Sequence, residues 1–356
     1  MNPRDVARHR LIRQQIARSR FNTPEGVVAS LGAVQAQALL GALWAVGLRM
    51  TDVSQSRVER AISDRTIVRT WPMRGTLHLV AATDVHWMLD LLAPRVIAGA
   101  KHRMRQFGID DSVVARSEKL LTDALRGGRQ LSRTEMYGVL QSAGISTPNQ
   151  RGLQILWRLA HEGLLCLGAR RGRQPTFALL DEWVPRGKRL GREKALEELA
   201  HRYFVSHGPA TLQDFSWWSG LGASDARSGL EMASTHLSRE SVGATTYWMS
   251  PEVLELDTTK TAHLLPEYDE FLVGYADRSA AVPAQLETPP DPFTVLGPTV
   301  VVDGLVQGTW RRILKKNRVS IAFRPFSSVK SSGMSAVEAA ARRYGRFLGL
   351  PVELLE

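Results

Sequence analysis

Two glutamines that flank one small apolar residue, Gln35-Ala36-Gln37, are the residues of this sequence whose type and spacing best suit chemistry. Residues two apart face roughly opposite sides of a helix but the same side of an extended segment. If both amides serve one site, the segment is a loop in which Ala36 points back into the core and the glutamines project outward together. The alternative is that both glutamines are surface residues of one helix running from Thr23 to Met50.

A pair of glutamines can do only a restricted kind of chemistry, because glutamine neither titrates nor acts as a strong base. The two amides can orient a water molecule and can offer their carbonyl oxygens to a developing positive charge. A site built on them therefore needs a substrate that is already activated for departure of its leaving group.

The elements around the glutamines predict a winged helix over residues 1–82. Apolar residues at helical spacing between Asp5 and Ser19, with arginines between them, predict a first helix with a basic outer face. Thr23 as N-cap and Pro24 in the first turn predict a second, short helix, which Gly32 helps to end. The other predicted elements are helices over Ala38 to Leu48 and Ser54 to Ile62, and a hairpin over Ile67 to Val80 that turns around Pro72 and Gly75.

The next unit, residues 83–184, repeats the plan. Ser132 and Glu135 have the spacing of a capping box at the start of a helix, and Gly163 closes the helix that follows. Two short apolar strands then flank the segment GARRGRQP, which makes this the clearest wing in the chain. The predicted elements are helices over Val85 to Leu92 and Val113 to Leu125, strands over Leu164 to Leu167 and Thr176 to Leu180, and a wing tip with Arg170, Arg171 and Arg173.

A hinge at Trp183 to Gly191 leads to a third predicted winged helix, residues 191–250. Residues 251–356 predict a β-rich C-terminal domain containing YDEFLVGY, TVVVDG and RVSIAFRPF, in which Asp303-Gly304 is a good two-residue hairpin turn. An amphipathic helix over Met334 to Leu348 closes the chain. The expected fold is mainly α with β hairpins, an α+β protein of tandem winged helix-turn-helix units followed by a β-rich C-terminal part.

The composition indicates a polyanionic partner. In 356 residues, Lys and Arg number 46 against 35 Asp and Glu, which gives a formal net charge of +11 and a pI near 10.2. A surplus of this size is typical of proteins that bind a polyanion, and nucleic acid is the leading candidate. The alternative is that an arginine-rich composition only reflects a GC-rich genome.

The cysteine usage and the apolar runs predict the compartment. The single cysteine, Cys166, lies in an apolar run and is expected to be a buried structural thiol. The basic N-terminus lacks the apolar region of a signal peptide, and no run approaches the roughly twenty apolar residues of a membrane span. We expect a cytoplasmic protein with no membrane partner.

Several segments around and beyond the glutamines resemble one known family. The QAQ motif follows a helix that opens with Thr23-Pro24-Glu25 and precedes ALLGALWAVGLRM, and TWPMRGTLHLV, LLPEYDEFLVGYADR and VVVDGLVQGTWRR come later. Together they resemble the AlkZ-like (YcaQ-type) DNA glycosylases, a family of tandem winged helices, over most of the chain. The catalytic motif of the AlkZ-like branch is glutamine, hydrophobic residue, glutamine, and an aspartate replaces the second glutamine in the YcaQ-like branch. The resemblance therefore implies that Gln35 and Gln37 are catalytic.

The resemblance also implies the reaction, which is monofunctional hydrolysis of the N-glycosidic bond in double-stranded DNA to leave an abasic site. An N7-alkylated purine suits two glutamines because its base is cationic and leaves as a neutral product. We expect such lesions to be preferred to neutral bases such as uracil, and interstrand crosslinks to be unhooked as in some relatives. The biological role would be DNA repair or self-resistance to a DNA-alkylating natural product. The alternatives are a non-catalytic winged-helix DNA-binding protein or transcriptional regulator and, less favoured, an enzyme acting on RNA.

Other candidate residues are weaker. Arg74 and His78, in a segment that resembles the family's active-site face, are candidates for supporting the active site, although a hydrogen-bonded structural role for His78 is favoured. Asp269 and Asp277 could form a carboxylate pair, but fixing loops or pairing with Arg278 is the favoured interpretation. The histidines have no cysteine or carboxylate partners at metal-ligand spacing, so we expect no metal and no cofactor.

The basic clusters are interpreted as contacts to DNA phosphates, with solvated surface charge as the alternative for any single residue. The family also places a β-hairpin against the DNA near the lesion, for which the ARRGRQ wing and the loop from Arg278 to Pro292 are both candidates. A glycosylase needs no dimer, so we expect a monomer. The residues predicted to bind DNA are Arg170, Arg171 and Arg173 at the wing tip, and Arg311, Arg312, Lys315, Lys316 and Arg318 after the late hairpin.

Overall fold

A computed structural model describes residues 2–51, 54–184, 187, 189–254, 261–282, 292–328 and 331–355. The predicted hinge at residues 183–191 and the candidate DNA loop at residues 278–292 therefore lie partly outside the described residues. The chain forms two compact units. The first unit comprises Met1–Glu59, Leu196–Trp218 and Gly222–Glu356, and the second comprises Arg60–Ala195 and Ser219–Leu221.

The described residues form helices and strands in alternating groups. The helices are α1 (Pro3–Arg13), α2 (Pro24–Leu31), α3 (Leu39–Leu48), α4 (Gln55–Ser63), α5 (Val85–Gln106), α6 (Asp111–Leu125), α7 (Arg133–Ser142), α8 (Arg151–His161), α9 (Leu180–Trp183), α10 (Arg192–His207), α11 (Leu212–Ser219), α12 (Ala223–Ala233), α13 (Glu270–Val273), α14 (Pro292–Leu296) and α15 (Ser331–Leu348), with a 3-10 turn at Ser234–His236. The strands are β1 (Val34–Gln35), β2 (Ile67–Met73), β3 (Thr76–Ala81), β4 (Leu131–Ser132), β5 (Leu165–Leu167), β6 (Thr176–Leu179), β7 (Ser238–Val242), β8 (Thr245–Met249), β9 (Ala262–Leu265), β10 (Thr299–Val302), β11 (Leu305–Leu314), β12 (Val319–Pro325) and β13 (Val352–Leu355). This mixture of helices and hairpins confirms the predicted α+β class.

The segment before the glutamines folds as its capping residues predict. Thr23 Oγ1 accepts a hydrogen bond from Gly26 N–H (3.2 Å), and Pro24 occupies the first turn of α2. Gly32 follows the helix with a φ of +79°, a conformation that favours glycine. The prediction that Gly32 ends the helix is confirmed, and the alternative of one continuous helix through the glutamines is wrong.

The first helix differs from its prediction in two ways. It ends at Arg13, and Gln15 beyond it has a φ of +60°. Arg10 and Arg13, expected on a basic outer face, are instead buried, with exposed fractions of 2% and 7%. Arg10 Nε donates to Pro209 O (2.9 Å), and its guanidinium carbon lies 3.6 Å from the centre of the Tyr275 ring. A carbonyl, an aromatic face and the buried carboxylate of Asp214, 3.7 Å from Arg10 Nη2, thus replace water around this charge.

The C-terminal part of the first unit is a sheet with strand order β13-β12-β11-β10-β9. Its neighbouring strands are antiparallel except β12 and β13, which are parallel. Asp303 and Gly304 connect β10 to β11 with φ values of +54° and +84°, so the predicted hairpin turn is confirmed. Helix α15 packs Tyr344 and Phe347 against Trp44 of α3, with ring centres 5.0 Å apart in both pairs.

One segment in this part does not have its predicted structure. The β-rich interpretation of YDEFLVGY is wrong, because Glu270–Val273 form the single-turn helix α13. Asp269 Oδ1 accepts a hydrogen bond from Phe271 N–H (2.9 Å) and so caps the turn. Apolar residues fill the segment as they would a buried strand, but the capping aspartate and Gly274 at the other end favour a helical turn.

The second unit contains a sheet with strands in the order β3-β2-β5-β6-β4. Strands β2 and β3 form the predicted hairpin, but its turn consists of Arg74 and Gly75, with φ values of +53° and +74°, and Pro72 lies within β2. The core of this unit packs apolar residues of α5, α6, α7 and α8 against Trp71 and Phe177 of the sheet. This hydrophobic cluster joins the helices of the second unit to its sheet.

The wing of the second unit lies between β5 and β6. Arg171 and Gln174 pair at its tip through two backbone hydrogen bonds of 3.0 and 3.2 Å, and Gly172 between them has a φ of +63°. The predicted capping box beside it is confirmed, because Ser132 N–H donates to Glu135 Oε2 (2.6 Å) and Glu135 N–H donates to Ser132 Oγ (3.3 Å). The wing thus stands next to the start of α7.

The predicted division into four domains stays a prediction. Within it, helices α10, α11 and α12 followed by the antiparallel hairpin β7-β8 have the element order of a winged helix. Among the residues described above, no helix is both long enough and apolar enough to span a membrane.

Candidate active site

The segment that carries the two glutamines is a loop between α2 and α3. Val34 and Gln35 form the short strand β1, and the chain leaves it at Ala36 before α3 begins at Leu39. Ala36 is completely buried, as expected for a residue that pins the loop to the core. Gln37 is exposed, whereas Gln35 has an exposed fraction of only 7%. The expectation that both side chains project outward together is therefore wrong for Gln35.

The side chain of Gln35 folds back onto the loop. Its Oε1 accepts a hydrogen bond from Gln37 N–H at 2.9 Å. This bond resembles the turns in which an asparagine or aspartate side chain accepts from the backbone two residues later, with one methylene more. It fixes the direction of the Gln35 carbonyl oxygen, which as an amide oxygen has a second lone pair for another partner.

A buried carboxylate holds the loop from behind. Gln35 N–H donates to Glu270 Oε1 (2.9 Å), and Trp218 Nε1–H donates to Glu270 Oε2 (2.9 Å). Glu270 itself has no exposed surface. The sequence offers one signal for Glu270, an acidic residue directly before the apolar run Phe271 to Val273, but it was not among the candidate residues predicted from sequence.

His207 completes the surroundings of this carboxylate. Its Nε2 lies 3.5 Å from Glu270 Oε2, and its ring stacks on Tyr203 with centres 4.7 Å apart. Ser206 Oγ donates to Arg202 O (2.7 Å), so the 2.8 Å bond between Ser206 Oγ and His207 Nδ1 has the imidazole as its donor. Burial lowers the pKa of His207, and the neighbouring Glu270 opposes that shift.

A second buried group anchors the residue before Glu270. Arg49 donates to both carboxylate oxygens of Asp269, at 2.9 and 2.8 Å, and both side chains are completely buried. Arg49 Nη2 also donates to Gln14 Oε1 (2.8 Å), and Gln14 Nε2 donates to the Tyr275 hydroxyl (2.9 Å). Asp269 fixes a loop as expected, but its partner is Arg49 and not Arg278. Its bidentate geometry is the strongest form of a carboxylate contact.

Asp277 fixes a loop, which is one of the roles favoured for it from sequence. Its Oδ1 accepts a hydrogen bond from Ser279 N–H at 2.9 Å, which stabilises the turn that follows. No carboxylate pair with Asp269 is needed to account for either residue. Groups of three or more residues that could hold a metal ion do not occur in the described part of the chain.

Arg74 and His78 belong to the second unit and contact each other. His78 is completely buried, its Nδ1 lies 2.9 Å from Thr76 O, and its Nε2 lies 3.2 Å from Arg74 Nη2. A carbonyl only accepts and a guanidinium only donates, so His78 donates from Nδ1 and accepts at Nε2. This arrangement requires the neutral imidazole, and its hydrogen bonds fit the structural role favoured for it from sequence.

The three arginines of the wing tip are exposed but not equivalent. Arg171 pairs with Glu135, at 2.9 and 3.1 Å to its two oxygens, and also donates to Gln130 O (2.9 Å). Hydrogen bonds from Ser132, then from Arg171, lower the pKa of Glu135 to about 2. Arg170 and Arg173 extend from the same exposed tip. The Glu135 carboxylate therefore compensates the charge of Arg171, one of the three wing-tip arginines.

The basic residues that follow the Asp303-Gly304 turn lie on the β11-β12 hairpin, which is called the late hairpin from here on. They also have an acidic neighbour. Lys315 Nζ and Arg318 Nε lie 3.5 and 3.2 Å from Glu353 Oε2, and all three side chains are about half exposed. Arg312 is half-buried and donates to the Tyr344 hydroxyl at 2.5 Å. Arg311 and Lys316 are exposed, and all five predicted contacts lie on or beside the β11-β12 turn. Hydrogen bonding from Ser320 and these two cations lower the pKa of Glu353.

Comparison with known proteins places the chain in a family. A family model described as "DNA glycosylase AlkZ-like" matches residues 28–347. The curated "Interstrand DNA cross-link repair glycosylase" of Streptomyces sahachiroi is 27% identical over an alignment that covers 99% of each chain. The solved structure of Streptomyces sahachiroi DNA glycosylase AlkZ superposes with a TM-score of 0.77 and 25% identity over all of both chains. Because the family match runs from before the glutamines into the last helix, the chain belongs to the AlkZ-like DNA glycosylases, enzymes that hydrolyse N-glycosidic bonds in DNA.

Proposed function

We propose that this glycosylase removes N7-alkylated, cationic purines from double-stranded DNA, with Gln35 and Gln37 positioning the attacking water. The observation that carries the proposal is the bond from Gln37 N–H to Gln35 Oε1, which holds an amide oxygen in a fixed direction on a pinned loop. Catalysis by positioning depends on groups that are already held where the reaction needs them.

The protonation chemistry of the loop supports a cationic substrate. Gln35 and Gln37 do not titrate, and the ionisable groups behind the loop, Glu270 and His207, are completely buried. Such a site gives little general-acid help to a leaving base. An N7-alkylated purine needs little, because it departs as a neutral base while positive charge develops on the sugar. The amide oxygens then serve to orient water and to stabilise that charge.

The basic residues of the wing tip and of the β11-β12 hairpin, all exposed except the half-buried Arg312, supply the contacts to the DNA backbone in this proposal. The free ends of the wing and of the late hairpin carry them, where they can reach phosphates without disturbing the core. Such contacts position the duplex without reading its sequence, so binding should be sequence-independent and should weaken with salt. The residues proposed are Arg170, Arg171, Arg173, Arg311, Arg312, Lys315, Lys316 and Arg318, with Arg74 and His78 as support for the active site.

The biological role proposed is repair of alkylated DNA, including the unhooking of interstrand crosslinks and self-resistance to a DNA-alkylating natural product. The name of the Streptomyces sahachiroi relative supports the crosslink part. We further propose that the protein works in the cytoplasm as a monomer. Family membership favours an enzyme over the non-catalytic winged-helix regulator considered from sequence.

A comparison of three duplexes tests the proposal with the wild-type protein in excess. One duplex carries N7-methylguanine, one carries uracil and one carries an N7 to N7 interstrand crosslink. We expect base release from the first, seen as strand breaks only after alkali, separation of strands in the third, and no release of uracil. Cleavage of uracil without comparable release of N7-methylguanine would overturn the substrate assignment.

The oligomeric state separates the enzyme from the regulator in the same samples. Light scattering of the protein alone and with a duplex should give one chain per complex, with equal affinity for unrelated sequences. A dimer that prefers one palindromic sequence is the behaviour of a regulator.

A further inference from the structure

Glu270 is a completely buried acid whose described contacts all concern one loop and the groups behind it. Burial of a carboxylate is unfavourable unless hydrogen bonds or counter-charges compensate for the lost water. Its neighbour Asp269 meets this requirement with Arg49 in a bidentate pair. Glu270 instead accepts hydrogen bonds from the backbone N–H of Gln35 and from the indole N–H of Trp218. Glu270 therefore contacts the loop directly, in addition to lying 3.5 Å from His207 Nε2.

We propose that Glu270 is a positioning residue for catalysis, which sets the conformation of the Gln35-Ala36-Gln37 loop through Gln35 N–H. The proposal rests on the proposed function, because it assigns to Glu270 an effect on the two glutamines. Two hydrogen bonds in series connect the residues: Glu270 Oε1 accepts from Gln35 N–H, and Gln35 Oε1 accepts from Gln37 N–H, both at 2.9 Å.

A carboxylate is the side chain that fits this position. The two groups that donate hydrogen bonds of 2.9 Å to Glu270, the amide of Gln35 and the indole of Trp218, can only donate. An ionised carboxylate accepts from both at once, whereas a glutamine amide has one accepting oxygen and would turn its NH₂ group towards one of the donors. The substitution Glu270→Gln therefore keeps the size of the side chain but breaks one of the two bonds and removes the charge that strengthens the other, so the bond to Gln35 N–H is weakened in either orientation of the amide.

The expected consequence is kinetic rather than a loss of DNA binding. Glu270 is completely buried and has no surface to offer to DNA. A displacement of about 1 Å in a positioning group can reduce a rate by about 10²-fold. We expect Glu270→Gln to lower the single-turnover rate on N7-methylguanine DNA by about 10- to 100-fold while the Kd for the same duplex is unchanged.

Hydrogen exchange provides a readout that does not depend on activity. The amide of Gln35 is protected by its bond to Glu270, so exchange of a peptide covering residues 34–38 should accelerate in Glu270→Gln. Tyr275→Phe is the matched control. Tyr275 is equally buried, and its hydroxyl bonds Gln14 and His207 O without contacting the loop. This control should lower the melting temperature and leave both loop exchange and rate unchanged.

Unchanged loop exchange in Glu270→Gln would overturn the proposal, as would equal losses of rate in Glu270→Gln and Tyr275→Phe. If Glu270→Gln does not fold, Trp218→Phe serves as the second variant, because it removes the other donor to the same carboxylate. Faster exchange of the loop amides is expected in Trp218→Phe too. Unchanged exchange in that variant counts against the proposal. A different result is expected if the glutamines are not catalytic but Glu270 still positions the loop. In that case Gln35→Ala keeps the wild-type rate, while Glu270→Gln still loosens the loop.

Discussion

The loop with the two glutamines and the two basic hairpin tips are built on opposite principles. The loop is pinned by buried groups, with Ala36 in the core and Gln35 N–H on the carboxylate of Glu270. The tips, at residues 170–173 and 315–318, place flexible cations in solvent beside exposed acids. The difference indicates that chemistry here depends on fixed position, whereas DNA binding depends on reach and charge.

The buried groups should therefore dominate stability and the exposed ones should dominate DNA affinity. A charge left buried without its partner is strongly destabilising, while an exposed ion pair contributes little. Each of the following variants tests one side of this contrast.

The largest effect is expected for Asp269→Asn. This variant removes the charge that compensates the completely buried Arg49 guanidinium and weakens the cap of α13. We expect the free energy of unfolding to fall by about 3–5 kcal/mol, measured by urea denaturation. Glu135→Gln, which breaks the exposed pair with Arg171, should leave the urea midpoint nearly unchanged. Equal shifts in the two variants would contradict the contrast.

A fall in pH should lower the free energy of unfolding through two buried histidines, His161 and His263. Burial lowers the pKa of His161 to about 4 and that of His263 to about 3, whereas the unfolded chain binds these protons near pH 6.5. Between pH 6.5 and 4 the unfolded state therefore holds more protons, and stability falls as the pH falls. Each histidine can contribute roughly 1.4 kcal/mol per pH unit.

Urea denaturation at pH 7, 5.5 and 4.5 measures this dependence. His161→Phe should flatten the part of the curve that belongs to the second unit, and an identical slope in that variant would exclude His161 as a cause. The tip arginines keep their charge over the whole range.

The wing-tip arginines should affect the affinity for DNA but not the rate of base release. Arg170→Ala with Arg173→Ala removes two exposed cations at the wing tip. We expect weaker binding to every duplex and a salt dependence, log Kd against log salt, that is shallower by about two. The single-turnover rate at saturating protein should not change. An unchanged salt dependence would show that the wing does not contact phosphates.

The smallest effect is expected for Glu353→Gln, and its direction is informative. Glu353 lies against Lys315 and Arg318, so its removal frees two cations at the late hairpin. If this hairpin contacts DNA, binding should tighten by about two- to threefold at low salt. Weaker binding would instead mean that the acid holds the hairpin in its binding conformation.

The local elements of this fold could be predicted because their signals are local. Thr23 and Gly32 delimit α2, Ser132 and Glu135 form their capping box, and Asp303-Gly304 makes its turn, each from neighbouring residues. The sequence left a loop and a continuous helix as alternatives around Gln35, and the end of α2 at Gly32 decides for the loop. Strand propensity failed at YDEFLVGY, where one capping aspartate outweighed it.

The support behind the site could not be predicted, because its partners lie far apart in the chain. Gln35 and Glu270 are 235 residues apart, and Arg49 and Asp269 are 220 apart. The spacing of residues in one segment carries no information about such pairs. The burial of Arg10 and Arg13 was missed for the same reason, since their charges are compensated by carbonyls, the Asp214 carboxylate and an aromatic ring from distant segments.

The most direct test of the catalytic loop is the single-turnover rate of N7-methylguanine release by the wild type, Gln35→Ala and Gln37→Ala, with Kd measured for the same duplex. Removal of one preorganised polar group from an active site typically lowers the rate by about 10²- to 10³-fold. We predict losses of at least 10²-fold in both variants, with Kd unchanged. Rates within about threefold of the wild type in both variants would contradict the assignment of this loop as the catalytic centre.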